Sequence, residues 1–215
     1  MDKAFIIGNG LSRKSLDLNE LKKTGVVFGC NAIYKEWAPD YLCVVDSAIQ
    51  LEIIQSDYRS KCYFSDTIPQ SKSIIPDGEE QAIFFAGLNI VSELGDKKES
   101  KQWVLLENTI IWLSSEYSHI IWIDKSTVWG VSCGMYALWI ALSNGHRDID
   151  LFGFDSLKHD DYRNVYDGHR HYQYDPNSED GIRNPETYRP GAVEYWPKIY
   201  ENLILQYPDA TISMM

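Results

Sequence analysis

Short unbroken apolar runs punctuate the first third of the chain: Ala4–Ile7, Val26–Cys30, Tyr41–Val45 and a weaker one at Cys62–Phe64. None alternates apolar with polar positions. Each is therefore expected to be a strand covered on both faces, as in a parallel sheet. Ser15-Leu16-Asp17-Leu18-Asn19-Glu20-Leu21 reads as a short helix between the first two. The runs end in small or polar residues: Gly8-Asn9-Gly10, Asn31, Asp46 and Ser65-Asp66. Ligands of parallel sheets sit beyond the carboxyl ends of the strands. That rule places Asn9, Asn31 and Asp46 on the rim of one polar cleft.

The middle of the chain offers strands at Ile83–Phe85, Trp103–Leu106, Ile110–Leu113 and Ile120–Ile123, with Glu107-Asn108-Thr109 turning a hairpin. The charged run from Asp96 to Lys101 reads as a solvated loop. The strongest helix signal follows. Met135, Leu138, Trp139 and Leu142 fall at i, i+3, i+4 and i+7, with Ser132 placed to cap the start, Gly134 in the first turn and Asn144-Gly145 at the close. Ile149–Phe152 then forms a strand ending at Gly153-Phe154-Asp155, and a last helix (192–206) leads to a strand (210–213). Residues 156–190 are polar and broken by Gly and Pro. They run longer than an ordinary connection, which points to a lid or acceptor-binding loop. The pattern predicts one α/β domain over residues 1–215, of Rossmann-like build with a mainly parallel sheet.

Composition narrows the partners. A chain of 215 residues can bury a sizeable core as one domain. Its net charge of -11 and pI of about 4.8 disfavour a nucleic-acid backbone, which needs clustered Lys and Arg. Cys30, Cys43, Cys62 and Cys133 make no C-x-x-C pair, so neither a zinc ribbon nor a thioredoxin-type site is expected. In apolar surroundings they act as small hydrophobes, and a reducing, cytoplasmic setting is expected. No stretch approaches a membrane span, and the apolar run after Met1-Asp2-Lys3 is too short for a signal peptide. A homo-oligomer is compatible with these numbers.

Candidate chemistry gathers at the strand ends. Glycines let a backbone approach a phosphate or ribose, and Asn9 and Ser12 add neutral hydrogen bonds, although Gly8-Asn9-Gly10 is not the G-x-G-x-x-G dinucleotide fingerprint. Asp46 suits a ribose, a base role or a turn cap. Ser132 and Gly134 begin a helix whose free N–H groups attract anions, or Ser132 is an ordinary cap. Asp155 suits a sugar, or ties down the loop after it. That loop carries His159, His169 and His171, beside Arg163, Arg170, Arg183 and Arg189; residues 162–200 hold seven of the 14 tyrosines. A His there suits a general base near neutral pH. His169-x-His171 also has the spacing of a metal pair, but no H-E-x-x-H or cysteine pair accompanies it, and no metal is expected.

In this order the motifs resemble those of the bacterial sialyltransferases of glycosyltransferase family 42 and related phage and lipooligosaccharide proteins. That family opens with a strand and G-N-G-P-S, then C-N-x-x-Y. This chain has Gly8-Asn9-Gly10-Leu11-Ser12 and Cys30-Asn31-Ala32-Ile33-Tyr34. The family's later T-S-G helix and S-G-I-D-F strand end are similar to Ser132-Cys133-Gly134-Met135-Tyr136 and Phe152-Gly153-Phe154-Asp155. The resemblance implies a GT-A-like domain that uses a nucleotide-activated sugar, CMP- or UDP-linked, without a metal or other cofactor. It implies that Asn9, Gly10 and Asn31 contact the nucleotide, that Ser132 lies near the phosphate or sugar, and that Tyr162 and Tyr166 stabilise the leaving phosphate. A His would deprotonate an acceptor hydroxyl on a glycan or a modified base. The family's His lies farther along, near Tyr188, so the base stays open among His169, His171 and His159. The chain also has no counterpart of the family's basic C-terminal part, so the donor sugar stays open. A second likeness runs to the archaeal pterin diphosphokinase and flagellin-glycosylation group, through Pro39-Asp40-Tyr41, Asp46 and the Ser132–Asp155 unit. It implies ATP and Mg²⁺, with Asp46 and Asp155 as ligands.

Overall fold

The computed structural model describes residues 3–65, 90–92, 101–106, 109–113, 119–123, 132–159, 161–169, 172 and 193–215. The strands are β1 (Ala4–Ile7), β2 (Val26–Cys30), β3 (Tyr41–Val44), β4 (Cys62–Ser65), β5 (Ile90–Ser92), β6 (Lys101–Leu106), β7 (Thr109–Leu113), β8 (Ile120–Ile123), β9 (Asp148–Phe152) and β10 (Thr211–Met214). The helices are α1 (Leu18–Thr24), α2 (Ser47–Ile54), α3 (Cys133–Ser143), α4 (Asp155–Lys158) and α5 (Trp196–Gln206), with 3-10 turns at Leu11–Ser15, Asn31–Lys35 and Val193–Tyr195. Two compact units result. One joins residues 1–43 to 130–215, and the other spans 44–129.

The first unit is the α/β, Rossmann-like part. Its strands lie in the order β10-β9-β1-β2-β3, and every pairing is parallel. The absence of alternation in the sequence has its cause here: β1 is buried along its whole length, as is β2 from Val27 onward. Ile6, Ile7, Phe28, Leu138 and Leu142 are all fully buried, each contributing about 1.5–3 kcal/mol by leaving water. α3 is buried on more than the one stripe the sequence showed. Tyr136, Ala137 and Ala141 are at 0% exposure as well, so the helix is covered on most sides. Ser132 caps it as expected, its hydroxyl oxygen accepting the Met135 N–H.

The helix expected over Ser15–Leu21 begins later, at Leu18. Asp17 does not join it but caps it, accepting the N–H groups of Asn19 and Glu20. The residues before it form the separate 3-10 turn. The last helix likewise starts with a 3-10 turn at Val193–Tyr195, and Pro197 occupies its first turn, where a missing N–H does no harm.

In the second unit, β4 and β8 pair in parallel, and β5, β6 and β7 form an antiparallel sheet. Leu106 stands opposite Thr109, the register of the expected hairpin. Gln50 of α2 is fully buried and donates from Nε2 to the carbonyls of Val44 (3.0 Å) and Ser65 (2.6 Å), fastening two strand ends. The expected strand at Ile83–Phe85, residues 96–100 of the charged run, residues 107–108, and most of the 156–190 loop (160, 170–171 and 173–190) lie outside the described residues. All four cysteines are buried, and none forms a disulfide among the described residues. No helix among the described residues is long and apolar enough to cross a membrane.

Candidate functional site

The carboxyl ends of β9, β1 and β2 lie side by side in the first unit. The β1–β9 pairing continues past the strands, with the Gly8 N–H on the Phe152 carbonyl (2.7 Å) and the Gly10 N–H on the Gly153 carbonyl (3.0 Å). This contact explains the glycines. A Cβ on Gly8 would lie 2.5 Å from the Gly153 oxygen, and one on Gly10 would lie 2.7 Å from both that oxygen and the Asp155 carboxyl carbon. Gly153 itself holds φ +70°, in the left-handed region. Gly8 and Gly10 are thus demanded by the neighbouring backbone, a pressure the sequence alone could not separate from a ligand's approach.

Two asparagines meet at this edge. Asn9 donates from Nδ2 to the carbonyl of Cys30 (3.3 Å), the last residue of β2. Its Oδ1 is buried and has no hydrogen-bond partner among the described residues. Asn31, next along, is buried and holds φ +46°, the one non-glycine residue with positive φ among those described. Left-handed backbone in a non-glycine residue is strained unless the surroundings over-determine it, and such residues concentrate at functional sites.

Asp155 and Ser12 are bound to each other. The Ser12 backbone N–H donates to Asp155 Oδ2 (2.9 Å), and the Ser12 hydroxyl donates to Oδ1. Both carboxylate oxygens of Asp155 are therefore in use, and the residue is only 6% exposed. Gly134 packs against the preceding residue; a Cβ there would meet the Phe154 ring at 2.9 Å. The start of α3, with Ser132, therefore lies beside the end of β9.

A segment from the expected lid docks on the glycine turn. The Val165 N–H donates to the Asn9 carbonyl (2.9 Å), and Asn164 bridges Gly10. Tyr166, one residue on, is 4% exposed, with its hydroxyl inside a polar cluster that the sequence did not reveal. It donates to Glu36 Oε1 (2.5 Å) and accepts from the Arg13 guanidinium (2.6 Å), which also donates to Glu36 Oε1 (2.7 Å). Burial alone would raise the Glu36 carboxyl. Hydrogen bonds from Tyr166 and Arg13 and the charges of Arg13 and His169 outweigh it and hold the group below the ordinary carboxylate range. Tyr166 is pushed up, first by burial and then by its bond to the Glu36 carboxylate.

His169 is exposed. Its ring stands edge-on to Tyr166, with centroids 5.9 Å apart, and its N–H donates to the Tyr166 carbonyl (2.9 Å). Tyr162 packs edge-on against Trp196 at the start of α5, centroids 6.3 Å apart. His159 follows α4, exposed, its N–H on the Asp155 carbonyl (2.8 Å). His171, Arg170, Arg183 and Arg189 lie outside the described residues. Asp46 belongs to the second unit, where it is exposed and precedes α2 without a side-chain capping bond. Of the expected site residues, the first unit brings together Gly8, Asn9, Gly10, Ser12, Asn31, Asp155, Tyr166 and His169. Arg13 and Glu36 were missed because Arg13 sits in a polar stretch and Glu36 follows Lys35 as a charged pair, both of which read as solvated surface.

Fold and site together define an α/β Rossmann-like unit with a polar carboxyl edge. Among protein-family models, curated proteins and solved structures, the chain matches none.

Proposed function

We propose that the chain is a glycosyltransferase that moves a sugar from a CMP- or UDP-linked donor to an acceptor hydroxyl without a metal. The observation that carries this reading is the Asn9 carboxamide at the strand ends. Its nitrogen is anchored on β2 while its buried oxygen lacks a donor among the described residues. A buried acceptor without a partner is costly, and a ligand hydroxyl or amine would satisfy it. Asn31, strained and buried one strand over, supports the same edge. So does the motif order shared with the family 42 sialyltransferases.

In this reading the nucleotide docks on the β1–β2 edge and His169 is the base. The acceptor oxygen attacks the anomeric carbon as its proton passes to His169, and the bond to the nucleotide phosphate breaks, the phosphate leaving with the electron pair. Positioning and charge stabilisation supply the catalysis. Tyr162 is the better candidate for donating to the leaving phosphate, because the Tyr166 hydroxyl already donates to Glu36. The acceptor is a glycan or another small hydroxyl compound, since an acidic chain lacks the overall field for a duplex. Nothing specific favours ATP and Mg²⁺ held by Asp46 and Asp155, because both Asp155 oxygens accept from Ser12.

Thermal shift with CMP, UDP, GDP and ATP, each with and without Mg²⁺, tests the reading. A metal-independent rise with CMP or UDP is expected, followed by transfer from the matching sugar nucleotide in the presence of chelator. A rise confined to ATP with Mg²⁺ would overturn it. Stabilisation without turnover across a broad acceptor panel would make the chain a binding module.

A further inference from the structure

We propose that Arg13 and Glu36 are positioning residues, which hold Tyr166, and through it His169, beside the glycine turn at the end of β1. The catalytic purpose of this lock rests on the glycosyl-transfer reading; its existence does not.

Three stretches distant in sequence converge on one charged contact. Arg13 lies in the 3-10 turn that follows Gly8-Asn9-Gly10, Glu36 follows the 3-10 turn that begins at Asn31, and Tyr166 belongs to the docked segment. The Arg13 side chain is 4% exposed, whereas Glu36 is 49% exposed. The guanidinium both donates to the Tyr166 hydroxyl and lies 5.2 Å from the centroid of its ring. Arg13 and Tyr166 donate to the same Glu36 oxygen, so loss of any one member leaves the other two short of a partner.

Stability alone does not account for this arrangement. Removing a guanidinium from water is expensive, and apolar side chains of the same volume fasten segments as well or better. Here the cost is met only in part, since Arg13 Nε is buried without a hydrogen-bond partner among the described residues. What the polar cluster adds is direction. A planar guanidinium, a carboxylate and a phenol satisfy one another in few geometries. Tyr166 is thereby fixed in rotation as well as in depth, and the His169 ring stands at right angles to it while the His169 backbone N–H donates to the Tyr166 carbonyl. Glu36 stays charged through neutral pH, because the cluster favours its ionised form.

The test uses the full chain and two readouts. Amide hydrogen exchange at Val165 and His169 reports the docking, with β1 and β9 as internal controls. Steady-state kinetics with the sugar nucleotide found by thermal shift reports the catalytic purpose. In Arg13→Met and Tyr166→Phe, exchange at Val165 and His169 should accelerate about tenfold or more with β1 and β9 unchanged. In the same variants kcat should fall by a similar factor while KM for the donor stays within about twofold. Arg13→Lys, which keeps the charge and one donor, should recover part of both losses. Should Arg13→Met fail to fold, Tyr166→Phe decides, since it removes one oxygen and keeps the ring. Unchanged exchange at both amides in folded Tyr166→Phe overturns the lock. Faster exchange with kcat unchanged overturns the positioning role. Faster exchange in a protein that turns over no sugar nucleotide supports the lock and overturns the glycosyl-transfer reading, so the two failures are separable.

Discussion

Asp155 holds Ser12 with both carboxylate oxygens, one on the backbone N–H at 2.9 Å and the other on the hydroxyl, across 143 residues of sequence. The pair joins the end of β9 to the turn after β1. Asp155→Ala leaves the Ser12 N–H and hydroxyl without their acceptor and should cost about 1–3 kcal/mol. Asp155→Asn keeps one acceptor oxygen and should cost less. Urea denaturation with unchanged slope measures both; equal, negligible losses would show that the contact does not hold the edge together.

The glycines at this edge should be unequal to the one farther out. Gly8→Ala puts a methyl 2.5 Å from the Gly153 oxygen, backbone against backbone, so a strand end must move. A loss of about 1–3 kcal/mol or more is expected from overpacking. Gly168 holds φ +88° with nothing among the described residues within 4 Å of an added Cβ, so Gly168→Ala bears the conformational penalty, roughly 1–2 kcal/mol. Melting temperatures of the two variants rank them, and the reverse order would contradict the packing account.

Asn31 separates backbone strain from side-chain chemistry. Its φ of +46° suits glycine at least as well as asparagine. Asn31→Gly should therefore fold stably, and Asn31→Ala should not fold as well. Both should weaken nucleotide binding by about 1–3 kcal/mol if the carboxamide touches the ligand. Calorimetric titration of the nucleotide reads this directly. Full affinity in Asn31→Gly would reduce the residue to a turn former.

Glu36 should leave a mark on acid stability. Its carboxyl is lower in the folded chain than the ordinary value of about 4.3 for glutamate, because bonds from Tyr166 and Arg13 outweigh the effect of burial. The unfolded chain then takes up the proton first as pH falls. The contribution is complete above the ordinary glutamate range and is lost as pH drops through the folded value. Glu36→Gln should flatten that component of the stability curve as pH falls through and below the ordinary glutamate range. Identical curves for the two proteins would place the ionised group elsewhere.

His169→Ala should lower turnover much more than donor affinity, by about 10²–10⁴-fold if His169 is the base. Donor affinity should stay close to that of the parent, because the proposed nucleotide contacts lie at the ends of β1 and β2. Unchanged turnover would move the role to His171 or His159.

Much of the α/β architecture was legible because parallel strands are buried on both faces and write themselves as plain apolar runs. β1 and β2 were readable for that reason, β9 from its place after α3, since Asp148 and Asp150 interrupt its apolar residues, and α3 for its stripe and its Ser132 cap. The 3-10 turns were not. They carry no apolar period, and a five-residue polar stretch such as Leu11–Ser15 looks like loop. Asp17 was misread as helix interior because a cap and a first-turn acid look alike without coordinates. At the candidate site, Asn9 and Asn31 could be read from their place after strands. Asp155 could be found but not its partner, since nothing in Ser12 advertises a contact 143 residues away. Arg13 and Glu36 stayed hidden for the same reason. Their neighbours, Ser12, Lys14 and Lys35, are polar and exposed, and only the fold turns Arg13 inward.

The first unit is interrupted by the second, and this bears on how the protein is made. β1 can meet β2 soon after both leave the ribosome, but its other neighbour, β9, begins at Asp148. At about 5–20 residues per second, the flank of β1 that β9 will occupy waits roughly 7–30 s for its mate. During that interval the nascent chain exposes one unpaired edge of a wholly apolar strand. Expression temperature and translation speed are thus expected to govern the soluble yield.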